Sequence, residues 1–261
     1  MLRPDVVAAG ISKNEFCGFQ LEFSVRKSNF PLQVYFSGKL LVPLTMDLFS
    51  SVSEISPSYE ALLSTDRVLH REDIYGFGPP ATTIAPEILS LARPLPDPIL
   101  DFGCGSGLLV SHLRKEGHDV CGIELKRPGI VEALTAETSP IVHLYDGEFP
   151  LPYRDGQFES VISVEVMEHI PNFSAALQEI ARVSRSAFLM TVPDMACIPI
   201  CGVHNVVPWH LLESTHVNFF TYQSLRKELG CYWTRMEFHR ICNFTVNGSF
   251  VPGSWAILCQ R

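Results

Sequence analysis

The sequence predicts an α/β protein with a mostly parallel sheet, preceded by a small β unit. Short β-branched runs alternate with stretches of helical length from Pro98 onward, which is typical of parallel α/β sheets. A glycine-rich loop follows the first of these runs, and hairpin turn signals separate the last two. With 46% hydrophobic and 18% charged residues, the 261-residue chain can bury a sizeable core.

The first part of the chain, residues 1–55, is predicted to be a separate β-rich unit. Apolar and polar side chains alternate there, as from Leu32 to Phe36, which is the pattern of a half-buried strand. A serine-rich stretch that runs into Pro57 marks the boundary to a second domain, 56–261.

The second domain is predicted to begin with a helical segment, 58–97, ahead of a core over 98–261. Helices are expected at 59–70 and 83–92, and the prolines that follow Ala92 prevent the second one from continuing. The core therefore starts with the first β-branched run.

The spacing of apolar residues predicts alternating strands and helices within the core. The strands are expected at 99–102, 120–125, 141–145, 160–166 and 187–192. The helices are expected at 107–117, 128–138, 172–184 and 222–229. Two further strand-like runs, 232–243 and 254–259, flank Asn247-Gly248 and Pro252-Gly253, so the chain should end in a hairpin.

The glycine-rich loop is the strongest functional signal in the sequence. The apolar run Ile99–Phe102 leads into three glycines spaced two apart, Gly103, Gly105 and Gly107, and then into a predicted helix. Glycines permit a sharp turn and the close approach of a ligand, and a helix N-terminus offers N–H groups to it. A nicotinamide fingerprint would need a further glycine where Leu108 stands, so dinucleotide binding is disfavoured.

Two carboxylates occupy strand ends where a nucleoside site in an α/β protein would need them. Glu124 ends the second core strand, where it could accept both ribose hydroxyls. Asp146 ends the third strand, where it could accept a hydrogen bond from an adenine amine. The structural alternatives are a solvated strand end for Glu124 and an Asx turn for Asp146.

Together these features resemble class I S-adenosylmethionine-dependent methyltransferases. The matching segments, within residues 75–261, are 101–107, Glu124, Asp146-Gly147, 151–159 and 165–170. The resemblance implies a Rossmann-like, seven-stranded, mostly parallel sheet with an antiparallel C-terminal strand. It also implies S-adenosylmethionine as the cofactor and says little about the acceptor.

The resemblance further implies which residues bind the cofactor. The glycine loop would hold its methionine end, Glu124 its ribose and Asp146 its adenine, while Tyr75 and Gly78 lie where an N-terminal segment often closes over the methionine moiety. The complete expected set is Asp101, Gly103, Cys104, Gly105, Gly107, Glu124, Asp146, Gly147, Glu165 and Tyr75.

The acceptor is expected at the carboxyl end of the fourth core strand, where α/β proteins bind ligands. Glu165, Glu168 and His169 follow that strand, and His216 precedes the last predicted helix. Because a sulfonium is already an excellent leaving group, the enzyme must chiefly align the acceptor and, for an alcohol, remove its proton. Glu165, His169 and His216 are the catalytic candidates.

The role of this acceptor-side group is open between a metal site, a base and a purely structural role. Glu165, Glu168, His169 and His216 resemble the metal-binding pattern of small-RNA 2′-O-methyltransferases, and also metal-dependent ubiquinone-biosynthesis O-methyltransferases, which implies a divalent metal ion. We favour a histidine acting as a metal-free base, because such a run is common in this fold. Alternatively, Glu168 and His169 only cap the next helix.

A separate group of thiols and imidazoles, Cys197, Cys201, His204 and His210, lacks the spacing of a closed zinc site. Isolated thiols are often buried as small hydrophobic groups. We interpret this stretch as an insertion that covers the substrate, in which Trp209 could stack on a ring or pack over the sheet edge.

The function predicted from the sequence is O-methylation of a small-molecule or glycan hydroxyl. The net charge of −8 makes nucleic acid an unlikely partner and disfavours the alternative, an RNA 2′-O-methyltransferase, because nucleic-acid binders carry clustered cations. An inactive cofactor-binding or scaffold unit is a further alternative, against which the intact Asp101, Glu124 and Asp146 argue.

No membrane span and a cytoplasmic location are expected. The longest uncharged run contains prolines and histidines, and the eight scattered cysteines fit reduced thiols. The N-terminal unit faintly resembles short β segments found beside bacterial surface-polysaccharide glycosyltransferases, which favours a sugar acceptor. Its exposed sheet edges could equally form a homodimer.

Overall fold

The computed structural model describes residues 32–36, 39–44, 68–71, 73 and 83–261. The chain divides into two compact units, residues 1–51 and 52–261. The domain boundary predicted between residues 55 and 56 lies outside the described residues. So does the predicted helix 59–70, apart from 68–70, which are not helical.

The first unit contains an antiparallel hairpin. Strand β1, Leu32–Phe36, pairs with strand β2, Lys39–Leu44, and a register shift between Val34 and Tyr35 indicates a bulge. The strand expected from the alternation at Leu32–Phe36 is therefore present.

The second unit alternates strands and helices in the predicted order. Its strands are β3 Ile99–Phe102, β4 Val120–Leu125, β5 Val142–Tyr145, β6 Phe158–Val164, β7 Ser184–Pro193, β8 Arg235–Ile241, β9 Phe244–Val246, β10 Ser249–Val251 and β11 Ser254–Gln260. Its helices are α1 Pro86–Ala92, α2 Leu108–Lys115, α3 Pro128–Ala133, α4 Phe173–Val183, α5 Cys197–Val203, α6 Trp209–Leu212 and α7 Tyr222–Leu229, with a 3-10 turn at Met167–His169.

Seven strands form one sheet in the order β5-β4-β3-β6-β7-β11-β8. The pairs from β5 to β7 are parallel, whereas β11 runs antiparallel to both β7 and β8. The predicted mostly parallel seven-stranded sheet with an antiparallel C-terminal strand is therefore confirmed. The order reverses direction at β3, and loops at this position of an open α/β sheet commonly bind ligands.

Buried side chains on both faces of the sheet explain why its strands read as continuous apolar runs. One face packs Leu100 and Phe188 against α4 and α7, where Leu177 and Leu225 are buried. The other face packs Ile99, Leu189 and their neighbours against α1 and α2. None of the helices in the described part of the chain has the length and apolar character that a membrane crossing requires.

Strand β6 and helix α3 both end earlier than predicted, each for a local reason. Strand β6 ends at Val164 rather than at residue 166, because Glu165 takes a left-handed backbone conformation with φ of 51°. Helix α3 ends at Ala133 rather than at residue 138. Thr135 and Thr138 there satisfy each other's backbone N–H groups with their hydroxyls at 3.0 and 3.2 Å, which competes with helix continuation.

The C-terminal hairpin carries a second, smaller hairpin at its tip. Between β8 and β11, strands β9 and β10 pair around Asn247-Gly248, whose φ values of 48° and 74° suit a tight hairpin turn. Val246 and Val251 pack with Cys197, Cys201 and Val206 into a small cluster separate from the two main cores. We call this group the satellite cluster.

Candidate functional site

The carboxyl ends of five parallel strands meet at one edge of the sheet. The segments that follow them are the glycine loop after β3, Lys126 after β4, Asp146 after β5, Glu165 after β6 and Asp194 after β7. Because these segments share an edge, residues that lie far apart in the sequence form one site.

The glycine loop is shaped for the close approach of a ligand. Gly103 has a φ of 77°, and a Cβ there would lie 2.4 Å from Cγ2 of Val166, so no other residue fits. A Cβ on Gly105 would meet nothing within 4 Å, which leaves open space over the loop. The Gly105 N–H donates to Oε2 of Glu124 at 2.7 Å, so the carboxylate and the loop hold each other in place.

Two buried carboxyl groups lie beside the glycine loop. Asp101 is 2% exposed and Glu124 is 7% exposed, and Glu124 also accepts the N–H of Leu125 at 2.7 Å. Burial, together with the neighbouring Glu124 charge, raises the pKa of Asp101 to about 7. This acidic pair suits a cationic ligand that also offers hydroxyl groups.

The remaining predicted cofactor positions differ in how well the structure supports them. Asp146 is exposed and accepts the Glu148 N–H at 3.1 Å, so it forms the Asx turn that was the structural alternative, with one of its two carboxylate oxygens. Burial raises the pKa of the Cys104 thiol, which keeps it neutral. Tyr75 and Gly78 lie outside the described residues.

Three of the four predicted acceptor-side residues come together. Glu168, His169 and His216 each offer a ligand atom, and these atoms all lie within 4.8 Å of one another. We call these residues the Glu–His cluster. Glu168 is 0% exposed, and among the described residues neither of its carboxylate oxygens has a hydrogen-bond partner. Its Oε1 lies 4.0 Å from Nε2 of His216.

The imidazoles around Glu168 are held neutral. Burial lowers the pKa of His216 to about 3 and that of the adjoining His210 to about 4, and it lowers the pKa of His169 as well. Burial and the nearby Glu165 raise the pKa of Glu168 well above its ordinary value. Burial thus disfavours the charged forms of these imidazoles and of the Glu168 carboxyl alike.

Glu165, which the resemblance placed in the ligand set, lies outside the Glu–His cluster, and its role as a ligand stays a prediction. Its Oε2 accepts a hydrogen bond from the Ser254 hydroxyl at 3.3 Å, and its backbone N–H donates to the Thr191 hydroxyl at 3.0 Å. Burial raises the pKa of Glu165 to about 7. Glu165 thus faces β7 and β11, and the geometry offers three metal ligands rather than four.

Backbone hydrogen bonds tie the two halves of the Glu–His cluster together. The carbonyl of Glu168 accepts the N–H groups of Val217 and Asn218 at 2.9 and 3.0 Å. The Asn218 side chain donates to the carbonyls of Met167 and Ile170 at 2.9 and 2.7 Å. The segment 213–221 is therefore docked on the turn after β6, which fixes His216 beside Glu168.

Sequence reasoning missed four residues around this docked segment. His210 hydrogen-bonds to His216 through the two Nδ1 atoms at 2.5 Å, and Thr215 hydrogen-bonds to His169 Nδ1 at 2.9 Å. Glu213 accepts from Thr215, and Arg71 donates to the carbonyls of Glu213, Ser214 and His216 at 2.9, 3.3 and 2.8 Å. Only the proximity of His210 and Thr215 to His216 in the sequence could have indicated their roles.

The thiol and imidazole group of the insertion does not assemble into a metal site among the described residues. Cys197 and Cys201 belong to the satellite cluster, and His204 lies 3.4 Å from the Asn247 side chain. His210 instead joins His216. Trp209 packs edge-on against the His216 ring, with the ring centroids 4.9 Å apart.

Comparison with known proteins identifies the family of this chain. Residues 80–232 match the family described as Methyltransferase domain, which is more than half of the chain. The chain belongs to the Methyltransferase domain family. This membership confirms the family recognised from the sequence motifs and the predicted cofactor, S-adenosylmethionine, and it supports an enzyme over a scaffold.

Curated relatives of this methyltransferase domain act on different acceptors. An 18S rRNA (guanine-N(7))-methyltransferase from Bos taurus is 35% identical over 86 residues, which are 33% of this chain and 31% of the relative. A ubiquinone biosynthesis O-methyltransferase from Acinetobacter baylyi is 29% identical over 120 residues, 42% of this chain and 50% of the relative. The chain thus spans only a third to a half of the length of these relatives.

Solved structures share the methyltransferase fold at low sequence identity. A methyltransferase in complex with the Haloferax volcanii Trm112 methyltransferase activator has a TM-score of 0.51 and 19% identity, covering 67% of this chain and 88% of that chain. A Bacillus halodurans methyltransferase has a TM-score of 0.50 and 12% identity, covering 67% of this chain and 98% of that chain. These similarities support the fold and leave the acceptor open.

Asp101 should make cofactor binding dependent on pH. With its pKa near 7, Asp101 is increasingly protonated below that value, so the affinity for S-adenosylmethionine should fall about tenfold for each pH unit below 7. The Asp101→Asn variant should bind weakly and lose this dependence, while the exposed Asp119→Asn should behave like the wild type. Calorimetry between pH 5 and 8 measures this, and equal pH profiles for Asp101→Asn and wild type would contradict the assignment.

Arg71 should hold the docked segment in place. In Arg71→Ala, three carbonyls lose their charged donor, so amide hydrogen exchange across 213–221 should accelerate by about tenfold or more. Affinity for S-adenosylmethionine should stay unchanged. The exposed Arg185→Ala is the matched control. Unaltered hydrogen exchange in Arg71→Ala would show that the segment stays docked without Arg71.

Proposed function

We propose that the protein transfers the methyl group of S-adenosylmethionine to a hydroxyl oxygen of a small molecule or a glycan. The supporting observation is the Glu–His cluster, which lies after β6, the strand next to the one that leads into the glycine loop. Since the sulfonium needs no activation, groups placed beside the loop are best understood as acting on the acceptor.

On the cofactor side, the proposal assigns the anchoring roles to the acidic pair and the glycine loop. The Asp101 carboxylate would accept a hydrogen bond from the ammonium group of the methionine end, and Glu124 would accept hydrogen bonds from the ribose hydroxyls. The open space above Gly105 supports this assignment, because a larger side chain at this position would extend into it. Asp146 keeps one carboxylate oxygen outside its Asx turn for the adenine amine.

On the acceptor side, the donor set fits a divalent cation bound by Glu168, His169 and His216. A buried carboxylate without a partner is disfavoured by several kcal/mol, and its imidazole neighbours are neutral, as metal ligands must be. One carboxylate and two imidazoles suit a first-row transition metal. Such an ion, when bound, lowers the pKa of a coordinated hydroxyl. This fit leads us to favour the cation over the metal-free base.

The chain's own residues would perform the remaining steps. His216 and Glu168 are oriented by the docked segment, so the acceptor hydroxyl would be held in a fixed direction relative to the methyl group. Burial raises the pKa of Glu165 to about 7, and the charge of Glu165 is near enough to raise the pKa of Glu168. Trp209 and the insertion would limit the access of water.

Oxygen is the acceptor atom that this site supports best. A guanine N7 already offers a lone pair, whereas an alcohol must lose a proton, so a cluster of carboxylate and imidazole groups is useful mainly for a hydroxyl. The relatives named as ubiquinone biosynthesis O-methyltransferases agree with this choice. The net charge of −8 weighs against an RNA acceptor. A glycan acceptor, a homodimer through the N-terminal unit and a cytoplasmic location stay predictions.

Removal of the metal ion should abolish turnover and spare cofactor binding. Dialysis against a chelator, or the Glu168→Gln change, should lower turnover by about 100-fold or more, because each deprives the acceptor hydroxyl of its activating ion. Metal analysis should find about one ion per chain in the wild type and none in Glu168→Gln, with Glu132→Gln as the exposed control. Full turnover in the chelated protein would refute the metal and leave the histidine base.

An acceptor screen should identify a hydroxyl compound as the substrate. Incubation with S-adenosylmethionine and a panel of phenols, glycans and short RNAs should add one methyl group to a phenol or a glycan, as detected by mass spectrometry. Fragmentation should place that methyl group on oxygen. Methylation of a ring nitrogen, or of RNA alone, would overturn the proposed acceptor class.

A further inference from the structure

A chain of hydrogen bonds runs from a buried carboxylate to His169. Oε1 of Glu213 accepts the Thr215 hydroxyl at 2.7 Å and the Thr215 backbone N–H at 2.8 Å. The same Thr215 hydroxyl oxygen lies 2.9 Å from Nδ1 of His169. Glu213 is 0% exposed, so solvent does not compete for these bonds.

The direction of each hydrogen bond follows from the groups involved. A hydroxyl has one proton, and Thr215 donates it to the Glu213 carboxylate, so the hydroxyl oxygen can only accept from His169. A neutral imidazole has a single N–H group, which must then be at Nδ1. The Nε2 atom of His169 is consequently the nitrogen with the lone pair.

We propose that Glu213 and Thr215 are positioning residues that fix His169 as its Nδ1–H tautomer, leaving Nε2 as the electron-pair donor of the Glu–His cluster. This proposal rests on the proposed function, since a donor nitrogen is needed only if His169 binds a cation or removes the acceptor's proton. Carboxylates and hydroxyls that orient an imidazole in this way commonly set its tautomer in metal and catalytic sites.

Other hydrogen bonds hold Thr215 in position between Glu213 and His169. Arg71 donates to the carbonyl of Glu213 at 2.9 Å, and the carbonyl of Glu168 accepts from Val217 and Asn218 on the far side of Thr215. Both ends of the segment that carries Thr215 are thereby held. A choice of tautomer exists only for a neutral ring, which is the form of His169 that could donate an electron pair to a cation or accept a proton.

The tautomer can be measured directly in the protein. Two-bond ¹H–¹⁵N correlation spectra of ¹⁵N-histidine-labelled protein, with His169 assigned from a His169→Gln variant, distinguish a protonated Nδ1 from a protonated Nε2. We expect Nδ1–H in the wild type and in Thr215→Ser, and loss of the pure Nδ1–H form in Thr215→Val. An Nε2–H signal in the wild type, or an unchanged tautomer in Thr215→Val, would overturn the proposal.

Kinetics supply the second readout. Thr215→Val should lower kcat by about 10- to 100-fold with the KM for S-adenosylmethionine unchanged, and Thr215→Ser should restore most of the rate. The exposed Thr234→Val controls for loss of a threonine hydroxyl elsewhere, and the thermal midpoint reports folding. If no hydroxyl compound is methylated, the proposed function fails, yet the spectra still decide whether Thr215 sets the tautomer.

Discussion

The docking of segment 213–221 on the 3-10 turn Met167–His169 is the contact on which the acceptor side depends. The turn exists because Glu165 takes a left-handed conformation and ends β6, which frees the Glu168 carbonyl to accept two N–H groups from the segment. Without these bonds His216 would have no fixed position beside Glu168, and Thr215 would not reach His169. Backbone geometry thus determines the side-chain chemistry here.

The two halves of the site are built by different physical means. The cofactor half follows from local rules, since a strand, positive φ values at the glycines and a helix start create the loop within a few residues. The acceptor half requires contacts between segments that are distant in the sequence, such as Arg71 and Glu213, which are 142 residues apart. The glycine loop thus depends mainly on one short stretch of sequence, whereas the acceptor half depends on several irregular segments at once.

This difference explains what the sequence could predict. Hydrophobic periodicity predicts the strands and helices, because each element buries a regular face. The turn signals predict the C-terminal hairpin, and the family resemblance implies the seven-stranded sheet with its antiparallel C-terminal strand. The family resemblance had placed Glu168 and His216 in one group, and the structure brings them together. The contacts of Arg71, Thr215 and His210 were not, because irregular segments carry no period. Nor was the position of Glu165 predictable, since it has a left-handed backbone conformation and accepts a hydrogen bond from Ser254.

The satellite cluster makes two segments of the chain depend on each other. Its buried side chains come from the segment that holds α5 and Val206 and from the β9–β10 hairpin, and none comes from the seven-stranded sheet. Replacing one segment alone would expose the apolar face of the other to water. The two segments therefore form one mutually dependent unit, and a loop swap on this side of the protein has to exchange both of them together.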